Sequence, residues 1–206
     1  MPHMGSGLEA YRIDKDDALI FGSKDEELLA DVLETRGKRL ADLDKQLGIG
    51  APATDKYDAD DRITTAQALA EIFRGTPTRE DCGAVYGWAY GDYCWSMGEV
   101  LNNGMFMPCD WEWLESLDAV LEPAGVPIRF MKLIQSPPIP IPEPDERPMI
   151  GHWTHEEIVA SREPLARLLA AGVGDDQIAE ALRDVHDDWI VSAVAQPGSM
   201  IIGFYG

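Results

Sequence analysis

The chain has 206 residues, an apolar fraction of 45% and a formal net charge of −20, with a pI of about 4.3. This length and apolar content are typical of one globular domain with an ordinary hydrophobic core. The charge opposes binding to nucleic-acid phosphates or to an anionic membrane, and it favours capture of a basic protein partner.

Cysteine usage and the N-terminus narrow the class of protein further. Three cysteines at unpatterned spacing predict reduced thiols and a cytoplasmic location rather than a disulfide framework. No run of about 18 apolar residues is present, so no membrane span is predicted. Residues 1–7 (MPHMGSG) are interpreted as an expression remnant, and residues 8–206 are expected to form a single globular domain. The sequence does not predict an oligomeric state.

The first third of the chain predicts a short strand at residues 8–13, followed by two helices. Ser23 and Glu26 have capping-box spacing for a helix that reaches about residue 47, with Gly37 as a break. A second helix is expected at about residues 63–73. The first helix also carries a basic cluster, interpreted as charge compensation on a solvated helix face: Arg36, Lys38, Arg39 and Lys45.

Aromatic residues are densest in residues 82–113, a stretch that also holds all three cysteines. Its tyrosines recur at helical spacing and its glycines every fourth residue. This pattern predicts a buried central helix over about residues 78–101. Aromatic and small residues also alternate over residues 86–90, which leaves a strand as the rival interpretation.

Cap signals mark three helices in the second half of the chain. Asp110 is expected to cap a helix that begins at the next residue. Thr154 and Glu157 form a capping box, and Asp175 is expected to cap the last helix.

Two strands and a connector are predicted in the same half. Residues 126–134 (VPIRFMKLI) alternate well enough to be a strand, and residues 200–205 (MIIGFY) are predicted to form a terminal strand. Residues 136–148 are rich in proline and are expected to form an extended connector that wraps its own domain, with an exposed ligand for a groove as the alternative. The fold class is therefore α+β and predominantly helical, with about six helices around the aromatic helix and one small sheet.

The candidate reactive residues favour structural interpretations. His152 and His155 lack the spacing that places two imidazoles on one helical face, so no metal site is predicted. Cys94 and Cys109 are interpreted as buried thiols, although Cys109 precedes a helix start, where a nucleophile would gain reactivity. No cofactor motif is present, and a non-enzymatic role is favoured over an enzyme.

Several motifs carry a family resemblance. The stretches MPCDWEWLESLDAVLEPAGV, GHWTHEEI and IIGFYG, with the YRIDKDDAL start, resemble a family of uncharacterised bacterial proteins known as a domain of unknown function. The resemblance covers nearly the whole chain beyond residue 7. It implies a single bacterial domain of mixed helix and strand, and it assigns no activity and no catalytic residue.

The favoured function is an immunity or antitoxin-like protein that neutralises a basic bacterial toxin in the cytoplasm. Aromatic anchors inside an acidic rim would match interface anatomy. The predicted binding residues are Tyr93, Trp95, Asp110, Trp111, Glu112, Trp113, His152 and Trp153. The alternative is an enzyme or small-molecule binder whose pocket lies near His152 and Cys109, with Asp110 and Tyr93 beside them.

Overall fold

The computed structural model describes residues 6–50, 62–77, 79–144 and 147–206. Contacts between residues divide the chain into two compact units. The sheet unit comprises the N-terminal residues up to Ala18, Met97–Pro138 and Met149–Gly206, and the helical unit comprises Leu19–Ser96 and Ile139–Pro148. The fold class is α+β and mostly helical, as predicted. That residues 8–206 form a single domain stays a prediction.

The sheet unit contains one antiparallel sheet with strand order β2-β1-β4-β3. Its strands are β1 (Leu8–Asp14), β2 (Glu99–Val100), β3 (Met149–Trp153) and β4 (Ser199–Tyr205). The two predicted terminal strands are confirmed, and they pair along their full length from Leu8↔Tyr205 to Asp14↔Ser199. Gly7 and Gly206 exchange two further backbone hydrogen bonds of 3.1 Å, so the pairing continues past both strand ends.

The prediction of a strand at residues 126–134 is wrong. Residues Phe130–Gln135 form a short helix, and Met149–Trp153 joins the sheet instead. The helix begins where it does because both carboxylate oxygens of Asp118 accept backbone N–H groups, from Phe130 at 2.7 Å and from Met131 at 3.0 Å. This cap comes from a side chain twelve residues upstream, so local alternation does not reveal it.

Three helices of the sheet unit start at their predicted caps. The helices of this unit are α1 (Lys15–Ala18), α5 (Trp111–Leu121), α6 (Phe130–Gln135), α7 (His155–Ala171), α8 (Asp176–Asp184) and α9 (Val191–Val194), numbered along the whole chain, with a π-helical turn at Val185–Ile190. Asp110 caps α5, the Thr154–Glu157 capping box starts α7, and Asp175 caps α8.

A pair of glycines lets α6 lie directly on the sheet. Gly151 of β3 and Gly203 of β4 are register partners. A Cβ atom on Gly151 would lie 2.1 Å from the carbonyl oxygen of Lys132, and one on Gly203 would lie 2.6 Å from the Cγ atom of Leu133. Because both separations are far below van der Waals contact, the observed approach of the α6 backbone requires glycine at both positions.

The hydrophobic core of the sheet unit lies between this sheet and its helices. Trp153 and Trp189 are both completely buried, with ring centroids 5.9 Å apart. Phe106 and Phe130 pack against the same cluster, which also contains leucines from α5, α6 and α8. Aromatic groups therefore dominate the burial here.

The helical unit contains α2 (Glu26–Gln46), α3 (Thr65–Arg74) and α4 (Gly83–Met97). Asp25, not Ser23, caps α2, and its carboxylate accepts the Leu28 amide at 2.9 Å. The predicted break at Gly37 is wrong, because buried residues before and after it, such as Val32 and Leu40, hold one continuous helix in place.

The aromatic helix is confirmed as α4, and the rival strand is wrong. Its tyrosines at 86, 90 and 93 are completely buried. The predicted start near Thr78 lies outside the described residues, and the helix ends at Met97, before the predicted residue 101. The proline-rich connector packs against α4, since a Cβ on Gly83 would lie 2.3 Å from the carbonyl oxygen of Glu143. This packing matches a connector that wraps its own part of the fold.

Replacing Gly151 with alanine tests the glycine pair. The new methyl group would clash with backbone atoms of α6, and these cannot move aside as the end of a flexible side chain could. We expect Gly151→Ala to lower the free energy of unfolding by about 3 kcal/mol in chemical denaturation. The matched control is Gly174→Ala, because nothing lies within 4 Å of a Cβ there. Equal stabilities of the two variants would show that the close approach is not required.

Candidate functional site

The exposed face of α5 is an acidic surface with fixed side chains. Glu112, Glu115 and Glu122 are all exposed on it. The indole N–H of Trp111 donates to Glu115 Oε1 at 2.8 Å, and the same ring meets Tyr205 edge-on at a centroid distance of 6.5 Å. Trp111 thus connects the Glu115 carboxylate to the C-terminal strand, and its hydrogen bond restricts the rotamers of the Glu115 side chain.

A groove of about 560 Å³ lies between α5 and α6. Three carboxylates and two cations line it, together with small, apolar and neutral polar side chains. The lining residues are Glu115, Asp118, Ala119, Glu122, Arg129, Met131, Lys132, Gln135 and Ser136. The size falls within the range of pockets that bind small ligands or peptide segments.

The two cations of the groove already have partners. Arg129 Nη1 donates to the carbonyl oxygens of Val126 and Ile128, the latter at 2.7 Å. Lys132 forms an ion pair with Glu157 of α7. Lys132 is therefore paired with a carboxylate, whereas Arg129 keeps its charge, and the three carboxylates of the lining outnumber its two cations.

Asp118 is the carboxylate that the fold itself uses. Burial raises the pKa of Asp118. The hydrogen bonds that it accepts from two backbone N–H groups of α6, and the nearby charge of Arg129, act in the opposite direction. Its role is to join α5 to the start of α6. Glu115 and Glu122, one on each side of it in sequence, are left as the exposed carboxylates of the groove.

His152 lies next to the groove without lining it. Its Nδ1–H donates to the carbonyl oxygen of Ser136 at 2.7 Å. Burial, followed by the charge of Lys132, lowers the pKa of His152, while the Ser136 hydrogen bond and Glu157 oppose this shift. The ring is therefore neutral near pH 7, and its contacts are those of a residue that orders the loop after α6. The neighbouring Trp153 is completely buried, and its indole donates to the Arg129 carbonyl oxygen at 2.8 Å.

Cys94 and Cys109 have the environment of unreactive thiols. Cys109 is buried, and burial raises its pKa to about 11, with the charge of Asp110 acting in the same direction. Burial raises the pKa of Cys94 to about 12. Thiolates are the nucleophilic form, so these shifts disfavour covalent catalysis. Neither Cys109 nor His152 lines the groove, and a pocket that joins them stays a prediction.

The two predicted binding residues of the helical unit differ in exposure. Tyr93 is completely buried and meets Phe73 edge-on at 5.7 Å, so it lies in the interior. Trp95 is 48% exposed, and the Arg36 guanidinium lies 4.4 Å from its ring centroid. Arg36 also donates twice to Asp92, at 3.0 Å and 2.6 Å.

This arrangement corrects the interpretation of the basic cluster. Arg36 and Arg39 contact the nearly buried Asp92 of α4, and the side chain of Arg36 is only 18% exposed. They are therefore not simply charges on a solvated helix face. The sequence gives no signal for Asp92, because it comes from a helix 56 residues away.

Other candidate sites in the described part of the chain are limited. Among these residues no group of three or more His, Cys, Asp or Glu side chains is arranged to hold a metal ion. None of the described helices is long and apolar enough to cross a membrane.

Two buried ring nitrogens, Trp113 Nε1 and His155 Nδ1, have no hydrogen-bond partner among the described residues. The rest of the Trp113 side chain is half-buried against the core, in the first turn of α5, directly after Glu112.

Alkylation kinetics test the assignment of Cys109 as unreactive. The rise of its pKa from an ordinary 9.0 to about 11 leaves roughly 100-fold less thiolate at pH 8. We expect iodoacetamide to modify Cys109 at least 100-fold more slowly in the folded protein than in guanidinium chloride, as followed by mass spectrometry of the peptides. Equal rates in the two conditions would restore Cys109 as a candidate nucleophile.

Comparison with known proteins supplies a family. The model of a family described as a domain of unknown function, DUF7691, matches residues 4–206. Searches of curated proteins and of solved structures found no match. The matched range includes α5 and its groove, the glycine pair and all four strands. The chain therefore belongs to the DUF7691 family, as the motifs around α5, the start of α7 and the C-terminal strand indicated.

Proposed function

We propose that this protein captures a basic protein partner in the cytoplasm and neutralises it, in the manner of an immunity protein or antitoxin. The acidic face of α5 is the proposed contact surface. It contains four of the predicted binding residues: Asp110, Trp111, Glu112 and Trp113.

The observation that carries the proposal is the set of unpaired carboxylates on this face. None of the ion pairs formed within the described residues involves Glu112, Glu115 or Glu122. Neighbouring carboxylates on one helix repel each other, and among the described residues no direct ion pair offsets the repulsion between these three. A basic partner would supply the missing counter-charges.

The aromatic residues at the start of α5 support the same surface. Trp111 and Trp113 are half-buried, so each combines a fixed core contact with an accessible edge. Aromatic side chains with few rotamers, beside charged residues, are typical of interface hot spots. Asp110 Oδ1 accepts a hydrogen bond from the backbone N–H of Trp113 at 2.8 Å, so Asp110 contributes mainly to the orientation of the helix.

The net charge of −20 supports fast capture. Electrostatic attraction raises the association rate of oppositely charged proteins, and salt screens it. The affinity for a basic partner should therefore fall with ionic strength, and the association rate should fall most. A toxin antagonist benefits from such a rate, because it must reach its target before damage occurs.

A charge-neutralised triple variant tests the surface. The partner to use is a basic protein encoded in the neighbouring reading frame, and the measurement is its association rate at low salt. We expect Glu112→Gln/Glu115→Gln/Glu122→Gln to lower that rate about tenfold or more, because rim charges act mainly on association.

The matched control removes three charges elsewhere in the sheet unit, by Glu163→Gln, Asp176→Asn and Glu180→Gln. These residues are exposed on α7 and α8. The control should slow association much less, since its loss of net charge is the same and only the position differs. An equal effect of both triples, or a neighbouring product that does not bind, would contradict the proposal.

A further inference from the structure

Two exposed carboxylates of the α5–α6 groove have a definite spacing. Glu115 lies on α5, and Glu122 is its C-cap residue seven positions later, still in helical conformation. The two therefore lie on one helical face, about 10.5 Å apart along the axis. Between them, Asp118 is occupied by the two α6 amides. The α5 wall of the groove therefore presents two exposed carboxylates about two helical turns apart.

The local environment makes both carboxylates selective for cations. Glu115 is held in place by the Trp111 indole, at 2.8 Å. Glu122 follows the last residue of α5, where the unpaired carbonyl groups of a helix carry partial negative charge. A cation at this end would interact favourably with both the carboxylate and the helix terminus.

Part of the groove lining suits the apolar stems of basic side chains. Ala119 and Met131 belong to the lining together with the charged residues. Lysine and arginine bury their methylene groups along apolar surface while the charged head contacts an anion, and methionine adapts to irregular shapes. Gln135 and Ser136 add neutral polar groups that can bond a peptide backbone.

An acidic ligand fits the same groove poorly. The cations that would hold it, Arg129 and Lys132, are bonded to backbone carbonyl groups and to Glu157. Such a ligand would also face the carboxylates of Glu115 and Glu122.

We propose that the groove binds an extended basic segment of the partner, with two arginine or lysine residues three positions apart. This rests on the proposed function and specifies the partner chemistry at the same surface. In a polyproline II segment, residues i and i+3 lie on one face and about 9.3 Å apart, close to the carboxylate spacing. Adjacent residues point in different directions, so a neighbouring pair cannot reach both carboxylates equally well.

Two peptides of the same composition test the spacing. One is Ac-Ala-Arg-Ala-Ala-Arg-Ala-NH₂, and the other is Ac-Ala-Arg-Arg-Ala-Ala-Ala-NH₂, which places the cations side by side. Binding is followed by amide chemical shifts of the ¹⁵N-labelled protein at low salt. We expect the spaced peptide to shift residues of α5 and α6 and to bind about fivefold more tightly than the adjacent one.

Variants connect the preference to the groove. Glu122→Gln should abolish the difference between the peptides, whereas Glu163→Gln on α7 should preserve it. Equal affinities of the two peptides for the unmodified protein, shifts centred outside α5 and α6, or no binding would overturn the inference. The proposed function is tested separately, by the association rates of the triple variants. If those rates behave as expected but the peptides bind equally well, only the inference about the spacing is refuted.

Discussion

The close approach of α6 to the sheet is the constraint on which the candidate site depends. It is possible because Gly151 and Gly203 face each other across β3 and β4 and leave space for the backbone around Lys132 and Leu133. A helix of six residues is not stable alone in water. Its order must come from this packing and from the Asp118 cap at its start.

The same contacts fix the geometry of the groove. With one side of α6 against the sheet and its first turn bonded to α5, Met131, Lys132 and Ser136 are held beside the acidic helix. On the other wall, Trp111 connects Glu115 to Tyr205 of the C-terminal strand. A binding surface on rigid elements loses little side-chain entropy when a partner arrives, which is why we place recognition here.

Local signals predicted much of this fold. Asp110, the Thr154–Glu157 box and Asp175 were identifiable because a cap and the helix it starts are neighbours in sequence. The C-terminal strand is a short apolar run that follows Pro197 and Gly198, and the tyrosines of α4 follow helical spacing. Each of these features depends on residues within a few positions of one another.

The errors share a different physical origin. Residues 126–134 alternate like a strand, yet a carboxylate from α5 and a glycine pair from β3 and β4 make part of them a helix. The Arg36–Asp92 contact likewise joins distant segments. The net charge led to the proposal of a basic partner, but the sequence could not show that Glu115 and Glu122 line a groove. The groove also needs α6 as its second wall, and the sequence did not predict this helix.

Amide hydrogen exchange of α6 tests most directly whether the glycine pair organises the site. If α6 is held on the sheet as described, the amides of Leu133 and Ile134 will exchange only with the slow opening that also exposes the central strand β4. Exchange of these amides at the rate of a frayed short helix, while β4 stays protected, would contradict the account.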